Sequence, residues 1–190
     1  MSATPMQRIP REQLSDPHRL AWDGLNGLTG EPTFIEVFAQ APELLDFVMT
    51  RFYGEIFFAG RVEQRYKQLA RLRLSQIHGC ATCNKQNVPG ALSEGVTQEQ
   101  VDALDDVDKG PFTEAEAAVV KFAEQVALTN HSGHLDDDLY ASLSRHFSDA
   151  EICELGTVMA VISGMAKLAF VMDLVEREPY CPIRPAQSAA

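Results

Sequence analysis

Two cysteines, Cys80 and Cys83, lie at C-x-x-C spacing directly after the helix-breaking Gly79. A pair that opens a helix puts its first sulfur against unpaired backbone N–H groups and the positive end of the helix dipole, which favours the thiolate over the thiol. Such a pair can cycle between dithiol and disulfide. Two other interpretations stay open: a zinc site, which would need further ligands such as His78, and two cysteines buried as small hydrophobic residues.

Reduction of a peroxide or a disulfide needs more than two sulfurs. A group must take up and deliver protons, while a second thiol resolves the intermediate. His78 is the titratable side chain nearest to the pair in sequence, and histidine titrates close to neutral pH. Arg71 and Arg73 could favour a thiolate electrostatically, although arginines on a helix surface are usually solvated.

A helix is predicted from Pro42 to about Phe58. Pro42 and Glu43 make a favourable first turn, and Gly60 a natural end. Apolar residues recur at intervals of three and four, which predicts an inner face made of Leu45, Val48, Met49, Phe52 and Ile56.

The next two predicted helices meet at the cysteine pair. The first covers about 62–78 and has an apolar face; the charged residues expected to face water are Arg61, Arg65, Lys67 and Arg71. The second runs from Cys80 to about Ser93. Because separations of three, four and seven bring side chains together, one face of this helix should carry Cys80, Cys83, Asn84 and Asn87.

Three later helices are predicted from their starts. Each has a Thr or Ser followed three residues later by Gln or Glu, which is the capping-box spacing; the pairs are Thr97 with Gln100, Thr113 with Glu116, and Ser148 with Glu151. The last helix, about 149–175, is apolar almost all round and should be the centre of the domain or a seam between subunits.

These patterns predict an all-α protein with one multi-helix domain at 33–176. Residues 1–32 are rich in proline and glycine, so we expect an extended N-terminal arm that contains Trp22 and has room for one short helix. Residues 177–190 contain three prolines and should form a C-terminal tail, including Cys181, that runs over the surface or a partner subunit.

The overall charge excludes some classes of function. A net charge of −11 repels nucleic-acid phosphates and anionic membrane surfaces, so we expect neither partner. The most apolar run, 158–172, is shorter than the ~20 residues that span a bilayer and indicates a buried helix. Together with an N-terminus without signal-peptide character, this leads us to expect a cytoplasmic protein.

Several short motifs carry a resemblance to a known family. They are Leu69-Ala-x-Leu-Arg73, Gly79-Cys-x-x-Cys83, Val88-Pro89, Ala91 and Gly95, followed by the cap at Thr97 and the helix from Thr113. This pattern resembles the alkylhydroperoxidase D-like and carboxymuconolactone decarboxylase family from about Pro42 to Val175. The resemblance implies an all-helical fold and a homo-oligomer.

The family's redox-active members pair the C-x-x-C with a proton relay. The relay consists of a Glu twelve residues before the first cysteine and a His four residues after the second, and some members carry a His between the cysteines. Here these positions hold Gln68, Asn87 and Thr82. Gln and Asn can form hydrogen bonds but cannot take up a proton at neutral pH.

The resemblance implies thiol-dependent reduction of a small peroxide or disulfide, in which Cys83 attacks and Cys80 resolves. A protein or small thiol would serve as reductant, with Gln68 and Asn87 at the relay positions and His78 and Thr82 as possible helpers. It implies no metal and no cofactor. Two alternatives remain: a decarboxylase-like lyase or isomerase acting on a small carboxylate, and a family member without catalytic activity.

Overall fold

The computed structural model describes residues 4–183. Regular structure in this part of the chain is helical, apart from one isolated antiparallel bridge between Cys80 and Arg177. A 3₁₀ turn at Arg11–Gln13 precedes α1 (Asp16–Thr29), α2 (Thr33–Phe38), α3 (Pro42–Asp46), a π-helix (Phe47–Phe58), α4 (Gln64–His78), α5 (Ala81–Ser93), α6 (Gln98–Asp102), α7 (Glu114–Val126), α8 (Asp137–Ser144) and α9 (Asp149–Val171). The prediction of an all-α domain is confirmed.

Helix α4 is the central element, because it contributes to two hydrophobic cores. Ala70 and Leu74 pack with α7, α8 and α9, whereas Leu69 and Leu72 pack with α5 and α6. All four side chains are fully buried. Burial of each leucine contributes roughly 1.5–3 kcal/mol to the stability of the fold relative to exposure. Because the two cores lie on different sides of α4, they hold the helix in place.

The three predicted capping boxes are all present. At the starts of α6 and α7, the Thr side chain accepts the amide of the third helical residue, and the Gln or Glu side chain accepts the amide of the Thr. At the start of α9, the Glu151 carboxylate accepts both the amide and the hydroxyl of Ser148. These local hydrogen bonds satisfy amides that would otherwise lack partners at the helix start.

The predicted helix at 42–58 is present but changes type after α3. From Phe47 onward its hydrogen bonds follow the wider π pattern, so each turn takes up more residues than an α-helical turn. The side-chain register shifts as a result. Ile56, expected to point inward, is 37% exposed, and Phe57 is fully buried in its place.

The N-terminal segment is more helical than its proline and glycine content indicates. Fourteen residues form α1, with Pro17 accommodated in the first turn and Gly30 ending the helix in the left-handed conformation at φ 69°. The expectation of an extended arm is therefore wrong for this stretch. Trp22 packs against its own domain and donates from Nε1 to Glu36 Oε1 at 2.8 Å.

The expectation that Lys67 and Arg71 face water is also wrong. Lys67 is 0% exposed; its Nζ donates to the Ile56 carbonyl at 3.1 Å and lies 3.2 Å from Glu154 Oε1 on α9. Glu154 also accepts the backbone amides of Arg61 and Val62. Burial alone would raise the pKa of Glu154, but these hydrogen bonds together lower it. A buried charge pair of this kind ties the end of the π-helix to α9.

Helix α9 is part of the core on one side and exposed on the other. Leu155, Val158 and Met159 are fully buried, whereas Ala160 and Gly164 face outward. By length and composition alone, α9 is apolar enough to cross a membrane, a property that core helices of globular domains share. It ends at Val171, four residues before the predicted end.

Candidate active site

The cysteine pair lies at the junction of α4 and α5. Gly79 ends α4 in the left-handed conformation at φ 63°, which turns the chain so that Cys80 becomes the N-cap residue of α5. Cys80 and Cys83 form a disulfide with an S–S distance of 2.08 Å. Cys80 Sγ also accepts the amide N–H of Cys83 at 3.2 Å. The first sulfur therefore occupies the site at a helix start that favours negative charge.

A C-terminal strap, residues 176–181, covers the beginning of α5. Ala81 and Thr82 donate their backbone amides to the Glu176 carbonyl, and the Glu176 amide donates to Thr82 Oγ1 at 2.9 Å. Lys85 pairs with the Glu176 carboxylate at 2.7 Å and thereby lowers the pKa of that group. Thr82, the position between the cysteines, thus anchors the strap.

The strap also reaches the turn before Cys80. The Glu178 amide donates to the Gly79 carbonyl at 2.8 Å, and Cys181 Sγ donates to the His78 carbonyl at 3.0 Å. Cys181 is buried beside Cys80. The tail is non-helical up to residue 183, as expected, but it covers Cys80 instead of running over the outer surface. Residues 184–190 lie outside the described part of the chain.

Cys83 faces a cavity of about 410 Å³. Its walls come from α1, α2, the π-helix, α4, α5 and α9, and are mostly apolar. The aromatic side chains among them are Phe34, Phe52, Tyr53 and Phe58. Cys80 also borders the cavity but is 0% exposed, whereas Cys83 is half-buried. The volume suits a small molecule.

A buried polar row on α4 faces this region. Gln68, Arg71, Ser75 and His78 follow one another at intervals of three, four and three, and all four are buried. Arg71, Ser75 and His78 line the cavity. The helical spacing of this row is visible in the sequence, but charged and polar residues at such spacing ordinarily indicate a solvated face.

His78 is held in one tautomer. Its Nε2 accepts the backbone amide of Leu128 at 3.1 Å, so a neutral ring carries its hydrogen on Nδ1. Burial lowers the pKa of His78 to about 4. At neutral pH the ring is uncharged and its one acceptor nitrogen is occupied, so this geometry does not offer a general base.

The two relay positions are buried amides close to Arg71. Asn87 lines the cavity and donates from Nδ2 to the Arg71 carbonyl at 3.4 Å. Gln68 Oε1 has no hydrogen-bond partner within residues 4–183. A side chain on Gly90 would lie 2.9 Å from Arg71 Nη2 and 3.1 Å from Gln68 Oε1, so a glycine here leaves room for both groups.

Arg71 lies in the cavity wall and carries a positive charge there, although its position in the sequence led us to expect that it faces water. Its side chain lies over the Phe57 ring and beside the Tyr53 hydroxyl. Burial lowers the pKa of the guanidinium, and Tyr53 partly offsets this. Arg73, by contrast, points away and pairs with Glu124 at 2.5 Å. Within the described residues no three His, Cys, Asp or Glu side chains are grouped to hold a metal ion.

Comparison with known proteins gives several matches. Residues 42–125 match the carboxymuconolactone decarboxylase family. The uncharacterized protein YdfG of Bacillus subtilis (strain 168) is 22% identical over 112 residues, which cover 58% of this chain and 76% of YdfG.

Solved structures share the fold over most of the chain. A protein of unknown function from Agrobacterium tumefaciens, suggested to be an AhpD antioxidant defence protein, has a TM-score of 0.62 at 24% identity and covers 79% of this chain and 96% of its own. An AhpD-core, peroxidase-related protein from Ralstonia eutropha JMP134 has a TM-score of 0.69 at 15% identity, covering 93% and 95%.

A third structure is the debrominase Bmp8, a cysteine-to-alanine variant in complex with 2,3,4-tribromopyrrole. It has a TM-score of 0.73 at 18% identity and covers 94% of this chain and 95% of its own. At these identities the structural matches establish the fold rather than the reaction. Residues 42–125 thus resemble the carboxymuconolactone decarboxylase family, and the chain shares its all-helical fold with the two AhpD-related structures.

Proposed function

We propose that the protein is a dithiol-dependent reductase that acts on a small, largely apolar hydroperoxide or disulfide. The observation that carries this proposal is the unequal placement of the two sulfurs: Cys83 faces the cavity, while its partner Cys80 is fully buried at the helix start. A substrate in the cavity reaches Cys83 first.

In the reduced protein, the Cys83 thiolate attacks one oxygen of a hydroperoxide. The O–O bond breaks, the alcohol leaves with a proton, and Cys83 becomes a sulfenic acid. Cys80 then attacks the Cys83 sulfur and expels water, which forms the disulfide. Two thiols and ROOH thus become a disulfide, ROH and water; with a disulfide substrate, two thiols are released instead.

The same arrangement supports the return to the dithiol. An external thiolate attacks the accessible Cys83 sulfur, and Cys80 leaves as a thiolate that accepts the Cys83 amide at the start of α5. A second external thiol then releases reduced Cys83. A protein dithiol or a small thiol supplies these two electrons, as expected in a reducing compartment such as the cytoplasm.

The proton steps differ from those implied by a Glu and His relay. Gln68 and Asn87 only donate or accept hydrogen bonds, and His78 is neutral with Nε2 occupied. Water or the substrate itself must therefore carry protons in and out of the cavity. We expect slower turnover than in an enzyme with a titratable relay, because positioned general acids and bases typically contribute about 10²–10⁴-fold.

The test is consumption of cumene hydroperoxide with dithiothreitol, together with counts of free thiols before and after peroxide. Wild type should turn over and lose two thiols; Cys83→Ser should abolish turnover. Cys153→Ser, at an exposed free cysteine on α9, is the matched control and should behave as wild type. An unchanged thiol count in the oxidised wild type would refute the proposal. Activity on a lactone carboxylate that survives Cys80→Ser with Cys83→Ser would favour the decarboxylase alternative.

A second candidate is reductive dehalogenation of a halogenated aromatic compound. It is favoured by the largely apolar, aromatic cavity beside Cys83 and by the similarity of fold to the debrominase Bmp8. In this reaction one aryl bromide and the two thiols are converted to the arene, a bromide ion, one proton and the disulfide. Bromide release from 2,3,4-tribromopyrrole that depends on Cys83, without peroxide consumption, would favour this candidate over peroxide reduction.

A further inference from the structure

We propose that Arg71 is an anion-binding residue of the cavity, so that the preferred ligand is a small aromatic or apolar molecule carrying one carboxylate or phenolate group. This inference names the substrate class for the cavity of the proposed reductase, but the binding itself does not require thiol chemistry. Its basis is a buried cation that has no charge partner among residues 4–183 and lies in the wall of a cavity of ligand size.

The first observation is the missing counter-charge. Arg71 is 5% exposed, yet within residues 4–183 it forms no ion pair, and its Nε has no hydrogen-bond partner. Every other buried or half-buried cation of α4 is paired: Arg65 with Glu116, Lys67 with Glu154, and Arg73 with Glu124. Burial of an unpaired charge is costly, so proteins ordinarily provide a partner.

The second observation is the surroundings of the guanidinium. Phe57 packs against it at 5.1 Å from the ring centroid, and the Tyr53 hydroxyl lies beside it. Glycine at position 90 keeps Nη2 clear of a side chain. A planar fork held in this way suits an oxyanion, because guanidinium N–H groups bind carboxylates through two parallel hydrogen bonds.

The third observation is the rest of the cavity wall. It is mostly apolar, so a ligand would bury a hydrocarbon body while its charged group meets Arg71. Glu31 also lines the cavity, and its Oε1 accepts the Thr33 hydroxyl; within residues 4–183 Arg71 and Glu31 form no ion pair. The positive charge of Arg71 is therefore left for a ligand.

The experiment compares an anionic probe with its neutral isostere by fluorine NMR titration of the oxidised protein. Para-fluorobenzoate should bind wild type at least about tenfold more tightly than para-fluorobenzamide. Arg71→Gln should bring this ratio close to one, and Arg71→Lys should retain part of it, because the lysine keeps the charge without the planar fork.

Arg73→Gln is the matched control, since Arg73 lies on the same helix but pairs with Glu124 outside the cavity. It should leave the ratio unchanged. Arg71→Gln should unfold at a temperature no lower than wild type, because it removes an uncompensated buried charge. A purely structural role of Arg71 would instead lower that temperature and leave the probe ratio unaltered.

The Cys80→Ser and Cys83→Ser double variant separates this inference from the proposed function. It should lose all thiol chemistry and keep the preference for the anionic probe. Equal affinity for the two probes in wild type, no binding of para-fluorobenzoate at millimolar concentration, or an unchanged ratio in Arg71→Gln would each overturn the assignment, whatever the outcome of the peroxide assay.

Discussion

At the scale of single residues, His78 couples the cavity to pH. The pKa of this side chain falls from an ordinary value near 6.5 to about 4 in the folded protein. The unfolded chain therefore binds a proton below about pH 6.5 that the folded protein does not accept until about pH 4. Folding stability contributed by neutral His78 is present above pH 6.5 and is lost as the pH falls toward 4.

We predict that wild type loses about 2 kcal/mol of unfolding free energy between pH 7 and pH 5 through this residue alone. His78→Gln, which keeps an acceptor for the Leu128 amide, should remove that part of the pH dependence. Urea denaturation at several pH values measures it. His134→Gln, at an exposed loop position, is the control and should follow wild type; an identical slope for His78→Gln and wild type would contradict the prediction.

Residue types and local spacing predicted the cysteine pair but not its charged surroundings. Cys80 and Cys83 could be found because C-x-x-C after a glycine is a local signal. The burial of Lys67 and Arg71 could not, since it depends on α9 and the π-helix covering a face of α4 that its sequence presents as solvated. The partner of Lys67, Glu154, is 87 residues away along the chain.

At the scale of elements, the strap and the turn before α5 fit closely. Gly79 has a positive φ, and a Cβ there would lie 2.5 Å from the Cys181 Cα. Gly30 also has a positive φ, but a Cβ there would meet no atom within 4 Å. The two glycines therefore separate the cost of backbone conformation from the cost of displacing the strap.

We predict that Gly30→Ala costs about 1–2 kcal/mol of stability, as expected for alanine in the left-handed region. Gly79→Ala should cost more stability and should also expose Cys80, because the strap must move.

The exposure of Cys80 can be measured by alkylation. In the reduced wild type, iodoacetamide should modify Cys83 at least about tenfold faster than Cys80, a ratio that corresponds to about 1.4 kcal/mol of local opening. Peptide mass spectrometry should show this ratio shrink in Gly79→Ala only; equal shrinkage in Gly30→Ala would rule out displacement of the strap as the cause.

Elements differ in how far the sequence determines them. The capping boxes at Thr97, Thr113 and Ser148 were predictable because each involves residues three positions apart. The π pattern after Phe47 was not, because the apolar residues of this segment fit an α-helical face about as well. Prolines and glycines suggested an extended arm, yet Pro17 falls at a helical position that tolerates proline, so α1 forms.

At the scale of the whole molecule, α9 presents an outer row without cover in the single chain. The exposed residues follow one another at helical spacing; they are Cys153, Thr157, Ala160, Gly164, Lys167 and Val171. Small residues in such a row allow another helix to approach closely. We propose that a homo-oligomer, as the family resemblance implies, uses this face.

Light scattering after gel filtration should give a mass that is a multiple of 21.0 kDa for wild type. Ala160→Glu should reduce that mass or weaken the association at least about tenfold, because a charge would be buried at a close helix contact. Ala141→Glu makes the same exchange at an exposed position of α8 and should leave the mass unchanged. A monomeric wild type would disprove the proposed assembly.

The strap has a consequence for the order in which the protein is made. Thr82 and the Glu176 amide it holds are 94 residues apart, so both cysteines leave the ribosome long before the segment that covers Cys80. Until translation passes Cys181, the nascent chain carries two uncovered thiols at a helix start and is open to mixed disulfides with other thiols. Burial of Cys80 therefore follows the synthesis of the strap rather than that of α5.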